Sequence, residues 1–497
     1  TGIPLAGVFI CMARRVFVCK YFPSQFRKID KTYSSVTLQK VVRMKTENIS
    51  EAEKFLKQNQ DIEEFDLLLP DMNGVLRGKR ILRENLLSIY KKGLYLPVSV
   101  FGLDVTGETM EETGLGFKSG DMDYPCFPLE HTLKVVPWQK ARGQLMLKMF
   151  GQDGAPFYGN PREVLKSVCQ KMSDAGLKAV VAVEMEFFLT DLKRRPWQSP
   201  RPARSPESGQ RENEGLLYSL ASLDDYNSFF QEISAAAEKQ DIPIYTALSE
   251  LSPGQFEINL HHVPDVLDAC DHAVMLKRII RSIANIHKME ATFMPKIFPD
   301  QPGNGMHVHL SLLDSKGENV FQGSDSSGSP ELRYAVEGLR EVMKESMLIC
   351  APHANSYHRF QNDSCAPVNM SWGYNNRTVS IRIPPSEGPD TRIEHRLAGA
   401  DANPYLLVAS LLCGILQGLN QKNEPPPPED GNSYLQTDSE LPRTWEEARN
   451  NFEQAEILPK YFGREFCELF ANLKKGEQYR FLSRIAPLEY EWYLRTV

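Results

Sequence analysis

The chain has 497 residues, 41% of them hydrophobic and 24% charged, the balance of a soluble globular protein large enough for two or three domains. A formal net charge of -7 gives no field suited to nucleic acid or an anionic membrane, and no apolar run reaches the roughly 18 residues that a membrane span needs. Nine cysteines without paired spacing read as reduced thiols, so a cytoplasmic protein is expected rather than a disulfide framework.

In chain order, Gly2 to Ala13 is apolar, but Arg14 and Arg15 follow it, the reverse of a secretory signal. Residues 1–43 are expected to be an N-terminal extension, either dispensable or an arm packed on a neighbouring subunit. A helix is predicted over Ile49–Gln58 with Ser50 as its N-cap. Phe65 to Ile81 reads as strand, Asn73-Gly74 turn and strand, a hairpin. A helix over Arg83–Lys92 and extended pieces up to Trp138 complete a small α+β unit, placed at 44–148. Asn160-Pro161-Arg162 marks a helix start with proline at its first position, early in one large domain placed at 149–497. Arg194–Glu214, rich in Arg, Pro and Ser, is expected to be a mobile surface loop, and residues 323–330 and 424–431 further loops. Val274, Ile279, Ile280, Ile283 and Ile286 recur at helical spacing, which predicts an amphipathic helix between Asp268 and Glu290.

Four stretches carry chemistry. Glu184 and Glu186 follow the apolar run Val180–Val183, and in a strand they point to one face. Two carboxylates there are either solvated or share a cation, and the flanking apolar residues favour burial with a charge partner. Glu250 and Glu257 bracket Pro253-Gly254, a turn that can bring them together. His307 and His309 sit on one face of a strand after Gly303-Asn-Gly305, where imidazoles suit a divalent metal or a phosphate. Arg377, Arg382, Arg392 and Arg396 alternate with Glu394, either as a surface salt-bridge ladder or as a phosphate clamp. Five carboxylates and a histidine that can hold two divalent ions, with arginines beside them, suit phosphoryl transfer from ATP.

These motifs resemble, in order, those of the glutamine synthetase superfamily. They run from Asp71-Met-Asn-Gly-Val-Leu-Arg-Gly-Lys79 through Glu184-x-Glu186, Glu250-x-x-Pro-Gly-Gln-x-Glu257, Ala291-Thr-Phe-Met-Pro-Lys296 and Gly303-x-Gly-Met-His-Val-His309 to Asn375-Asn-Arg377 and Arg392-Ile-Glu394. Within the superfamily the chain most resembles the γ-glutamylputrescine synthetase branch, by Glu111-Glu-Thr-Gly-Leu-Gly116, Asn355-Ser-Tyr-x-Arg-Phe-Gln361 and Ala398-Gly-Ala-Asp-Ala-Asn-Pro-Tyr405 among others. The resemblance implies an α+β fold, with an N-terminal β-grasp domain and a catalytic domain of antiparallel β-sheet with surrounding helices. It implies an ATP-dependent ligase that joins glutamate to an amine through γ-glutamyl phosphate, in amine catabolism. Carried over by motif, Glu186, Glu250 and Glu257 hold one metal and Glu184, His307 and Glu394 the other, with two or three Mg2+ or Mn2+ per site. His309, Ser311, Arg382 and Arg392 bind ATP, the cosubstrate. Gly303, Arg359 and Arg396 bind glutamate, and Arg377 stabilises the transferring phosphate. Cys365 and Tyr218 belong to the amine pocket. Glu250 and Asp104 are given catalytic roles, Asp104 as base or amine anchor lent across a subunit boundary. The implied assembly is a ring-type homo-oligomer, a dodecamer, and no nucleic-acid or membrane partner is expected.

Two positions depart from ammonia-using members: Pro302 replaces an asparagine, and Cys365 replaces a carboxylate that helps bind and deprotonate ammonium. Loss of that carboxylate removes negative charge from the small-cation site and favours a bulkier amine over true glutamine synthesis. The readings set against the amine ligase are a glutamine synthetase using ammonia and a non-catalytic structural member, which has no need of six metal ligands.

Overall fold

The computed structural model describes residues 49–195, 198–325, 327–362, 364–386, 388–435 and 441–497. The expected extension at 1–43 lies outside them. The first helix runs over Ile49–Gln58, so Ser50 falls inside it and not at its cap. It lies over a mixed six-stranded sheet built from β1 (Glu64–Pro70), β2 (Leu76–Leu82), β3 (Leu94–Pro97), β4 (Asp123–Pro128), β5 (Lys134–Val135) and β6 (Arg142–Met149). The strand order is β2-β1-β6-β4-β3 with β5 against β6, and β1 and β6 run parallel at its centre. Phe55 of the helix meets Phe65 of β1 edge-on at 5.9 Å, and Phe65, Leu67 and Leu69 are fully buried. The predicted hairpin is β1–β2, but its loop is not a two-residue turn. Asp71 organises the loop: its carboxylate accepts from the backbone N–H of Asn73 (2.8 Å) and Val75 (2.9 Å) and from Arg77 Nε (2.8 Å).

Asn160 caps the helix Pro161–Asp174 by accepting from the Arg162 N–H, as its sequence predicts. Beyond it lies an eight-stranded sheet formed by β7 (Lys178–Asp191), β8 (Ile244–Ser249), β9 (Gln255–Leu260), β10 (Met289–Thr292), β11 (Met306–Leu313), β12 (Trp372–Tyr374), β13 (Ile381–Ile383) and β14 (Ile393–His395). The order is β12-β13-β14-β11-β7-β9-β8, with β10 paired to the far end of β7. Only β12 and β13 are parallel; the other neighbours are antiparallel. Along β7 the residues Val181, Val183, Met185 and Phe187 are buried on the face covered by the helix Val266–Ile286, whose buried stripe includes the predicted Val274, Ile279, Ile280 and Ile283, while the predicted Ile286 is exposed at the helix's end. Glu184 and Glu186 therefore lie on the opposite face. The helices Pro330–Cys350 and Pro404–Gln421 complete the core.

The described residues of the expected loop, 194–195 and 198–214, form no named helix or strand, but they are anchored. Arg211 forms a two-pronged pair with Asp191 (3.1 and 2.9 Å), and Glu212 accepts from the Gly254 N–H at 2.7 Å. Polar bonds tie the β1–β2 loop to two helices, Pro404–Gln421 and Arg464–Leu482. Asn403 Nδ2 donates to the carbonyls of Asp71 and Met72, and the fully buried Lys474 donates to Asn73 Oδ1 and Glu477.

Candidate active site

Strand register assembles the chemistry. Glu184 of β7 lies opposite His307 of β11 on one side and Asn259 of β9 on the other, while Glu186 lies opposite Glu257. Across β11, His309 faces Glu394 of β14, which in turn faces Arg382 of β13. Glu250 follows the end of β8, and the Pro253-Gly254 turn folds it back toward Glu257, as the sequence suggests.

Glu184 lies between the two imidazoles, 3.2 Å from His307 Nδ1 and 2.8 Å from His309 Nε2. Burial works to raise its carboxyl, but the bonds from His307 and His309 outweigh this and hold it well below the usual carboxylate range. Glu250 and Glu257 behave oppositely. Burial, reinforced by the charge of Glu186 and Glu184, pushes Glu250 up to about 8; burial and the same neighbours push Glu257 well above its ordinary value. Ligand atoms lie within 4.8 Å of one another in three groups: Glu186, Glu250 and Glu257; Glu184, Glu257 and His307; and Glu184, His309 and Glu394. The first is the set expected for one metal. The set expected for the other is divided between the remaining two, because Glu184 lies between both imidazoles. Carboxylates that crowd until two of them favour protonation, beside two imidazoles, form a donor set that fits hard divalent cations.

Arginines close the other side. Arg382 donates to Glu394 Oε2 at 2.6 Å and Arg396 donates to its Oε1. Burial raises Glu394, but Arg396 and the two histidines draw it down to about 2. Arg392 Nε donates to His309 Nδ1 at 3.3 Å. The Nε atoms of Arg359, Arg382 and Arg396 are buried without a hydrogen-bond partner, an arrangement suited to an incoming anion. A cavity of about 680 Å³ is lined by all five of these glutamates, by His307 and His309, by Arg359, Arg377, Arg382, Arg392 and Arg396, and by Gly303, Cys365 and Tyr218. Ser311 lines an adjoining cavity of about 860 Å³ that shares Glu184, Asn259, His309 and Arg392 with the first. Gly303 cannot carry a side chain: a Cβ there would lie 2.1 Å from the Pro295 carbonyl oxygen and 2.8 Å from Arg359 Cγ.

Residues 158–493 match the family model described as glutamine synthetase, catalytic domain. The chain is 40% identical to γ-glutamylputrescine synthetase PuuA of Escherichia coli (strain K12), over 90% of this chain and 94% of that one. The chain belongs to the glutamine synthetase family. It is also 33% identical to a glutamate–isopropylamine ligase of Pseudomonas sp, over 84% of this chain and 92% of that one. Its fold matches a solved GmaS–ADP complex with a TM-score of 0.77 at 27% identity, covering 90% of this chain and 99% of that one.

Asp104, expected to serve a neighbouring subunit's site, lines neither this cavity nor the adjoining one. Its carboxylate accepts from Thr106 N (2.8 Å), Thr106 Oγ1 (2.8 Å) and Glu108 N (2.9 Å), and it pairs with Arg480. Burial raises its carboxyl, yet these bonds and Arg480 bring it below the ordinary value. A carboxylate so occupied is a weak base within this chain.

Sequence reading missed Gln255, Asn259 and Asn304. Gln255 Nε2 reaches Gly303 O (3.0 Å) and Asn304 Oδ1 (3.1 Å) and so ties β9 to the glycine loop. The fully buried Asn304 holds that loop to the Met294 carbonyl at 2.9 Å. Asn259 follows Glu257 by two residues on a strand, an alternation that could have marked it.

Proposed function

We propose that this family member is an ATP-dependent ligase that forms a γ-glutamyl amide from L-glutamate and an organic amine, in amine catabolism. One observation carries the reading: strand register, with the Pro253-Gly254 turn for Glu250, gathers five carboxylates and two imidazoles in one cavity that arginines also line. Divalent ions, Mg2+ or Mn2+, supply positive charge to phosphate oxygens when held by the carboxylates and imidazoles. Arg359 and Arg396 orient glutamate beside Gly303. Its γ-carboxylate oxygen attacks the terminal phosphorus of ATP, giving γ-glutamyl phosphate and ADP. Arg377, exposed at the cavity mouth, and the buried Arg382 face the charge on the moving phosphoryl group. The neutral amine then attacks the acyl carbon, phosphate leaves, and the nitrogen loses a proton. His309, Ser311 and Arg392 place ATP in the adjoining cavity.

The amine carries a carbon skeleton. Leu217 (45% exposed), Tyr218 (60%) and Leu251 (44%) line the cavity together with Cys365 and Ala366 and give it apolar surface. Ammonium, strongly hydrated, calls for charged acceptors that a thiol does not provide. A panel of alkyl-, di- and arylamines, each tested for glutamate-dependent phosphate release from ATP with and without Mg2+, tests this reading. Preference for ammonia, or no glutamate-dependent release with any amine, rejects it. Cys365→Glu should shift the amine-to-ammonia ratio of kcat/KM toward ammonia by at least about tenfold, the weight of one charge-assisted hydrogen bond. Cys365 already holds a left-handed backbone (φ 64°), so the longer side chain adds no new backbone strain.

In this reading the sheet of β1–β6 and the sheet of β7–β14 form separate domains divided near residue 149. The protein is cytoplasmic; among the described residues no helix is long and apolar enough to cross a membrane. It assembles as a ring-type homo-oligomer, a dodecamer. Supporting this, Phe481 (60%), Leu482 (68%), Ile485 (61%), Trp492 (58%) and Leu494 (71%) expose a large apolar surface on one terminal segment. Multi-angle light scattering should give a mass many times 56.4 kDa, and an active monomer rejects the assembly.

A further inference from the structure

Arg359 is nearly buried at 3% exposure, and its protein contacts leave it under-satisfied. Nη1 donates to the Leu397 carbonyl at 3.1 Å, and Nε has no partner. Burying a guanidinium requires a counter-charge. On the side away from the cavity that charge is Asp401. The two groups flank Gly399: a Cβ on this glycine would lie 2.3 Å from Asp401 Oδ1 and 3.4 Å from Arg359 Nη1.

Asp401 also holds the turn on which Arg359 rides. Its Oδ2 accepts from His353 Nδ1 at 2.9 Å and from Ser356 Oγ at 2.6 Å, and these two residues open the 3-10 turn Ala354–Arg359. The remaining oxygen, Oδ1, is buried and has no hydrogen bond. Two other contacts fix the parts around it. Asn355 exchanges two hydrogen bonds of 2.9 Å with the backbone of Lys296, and Lys277 Nζ donates to the carbonyl of Ala400 at 2.6 Å. One carboxylate thus holds the start of the turn through Oδ2, while its free Oδ1 faces, across Gly399, the guanidinium at the turn's end without a hydrogen bond to it.

We propose that Asp401 is a positioning residue for glutamate, fixing Arg359 from behind the site through His353 and Ser356; this rests on the reading of Arg359 as a glutamate ligand. Asp401 does not line the cavity and touches no substrate. Its effect falls on glutamate, whose carboxylate needs the guanidinium held in one orientation, and leaves ATP binding unaffected. Without the charge, the guanidinium is free to turn and must be ordered each time glutamate binds.

The test is steady-state phosphate release by the full chain with Mg2+, ATP and the best amine. Asp401→Asn keeps the shape and removes the charge. It should raise KM for glutamate about tenfold, the weight of one charge-assisted contact, with kcat and KM for ATP changed less than about threefold. Ser356→Ala removes one bond to Oδ2 and should act in the same direction by about threefold. In an Arg359→Lys background the Asp401→Asn change should add less than about twofold, because its route is through the guanidinium. An unchanged KM for glutamate, a parallel rise in KM for ATP, or full additivity with Arg359→Lys overturns the assignment alone. Absence of glutamate-dependent release by the unmodified protein overturns the reading of the site and the assignment with it. If Asp401→Asn does not fold, Ser356→Ala decides by the same KM comparison.

Discussion

Glu257→Gln should lower turnover by roughly a thousandfold or more while leaving the fold intact. Glu257 belongs to two of the three ligand groups, with Glu186 and Glu250 on one side and with Glu184 and His307 on the other. Its loss therefore weakens the positive charge available to both ends of a transferring phosphoryl group. The fold should tolerate the change because the native environment already disfavours the charged form. Burial and the charges of Glu184, Glu186 and Glu250 all raise this carboxyl, so a neutral amide of the same shape meets less repulsion. The buried side chain also keeps its neighbours packed. Phosphate release and thermal unfolding of the purified variant check both halves. Turnover within tenfold of the unmodified protein would remove Glu257 from the metal site.

The site was legible where its logic is local. Glu184 and Glu186 alternate along an apolar strand, and two residues apart on a strand means one face, which is how β7 presents them. Asn160-Pro161 states a helix start in two residues, and the helix begins there. The spacing of Val274, Ile279 and Ile283 likewise produced the helix that covers the buried face of β7. What was not legible depends on partners far along the chain. The carboxylate of Asp104 is saturated partly by Arg480, 376 residues away, so nothing around Phe101-Gly-Leu-Asp104 announces that it is occupied. The stretch Arg194–Glu214 has the composition of a free loop, yet Asp191 and the Gly254 N–H anchor it. Composition reports the cost of ordering a segment, not the contacts that offset it. The division of ligands among Glu184, His307 and His309 follows from β7–β11 register, which periodicity leaves undetermined to within a two-residue shift.

In the absence of divalent metal, the protein should lose stability as pH rises from about 5 to about 8, and Mg2+ should restore it increasingly across that window. Glu250 is held up to about 8 by burial and by the charges of Glu186 and Glu184, and Glu257 is raised for the same reasons. In the unfolded chain both titrate near ~4.3. Below that value both states are protonated and the contribution of these groups to stability is fully present. Above it the unfolded chain releases protons that the native state retains, so stability falls with pH until the native groups ionise. A carboxyl that titrates one pH unit higher in the native protein than in the unfolded chain contributes about 1.4 kcal/mol, and two raised groups make a total of several kcal/mol. Glu184 and Glu394 have the opposite sign, since both are lowered, Glu394 to about 2. Their stabilisation is present above the unfolded value and lost only as pH falls through the native one, below this window. From these four groups alone, apo stability should therefore peak at pH ~4.3, where the raised pair has barely begun to lose and the lowered pair is still charged in the native state. A divalent cation competes with the protons and binds only the native arrangement, so its stabilising effect grows as they leave. Thermal unfolding from pH 5 to 8 in chelator and in millimolar Mg2+ measures both curves. Glu257→Gln should flatten the slope in chelator, since it removes one of the two raised titrating groups. A midpoint in chelator that is flat or rising over this range, with a constant increment from Mg2+, would mean that the carboxylates on β7, β9 and the end of β8 are not coupled through a shared cation site.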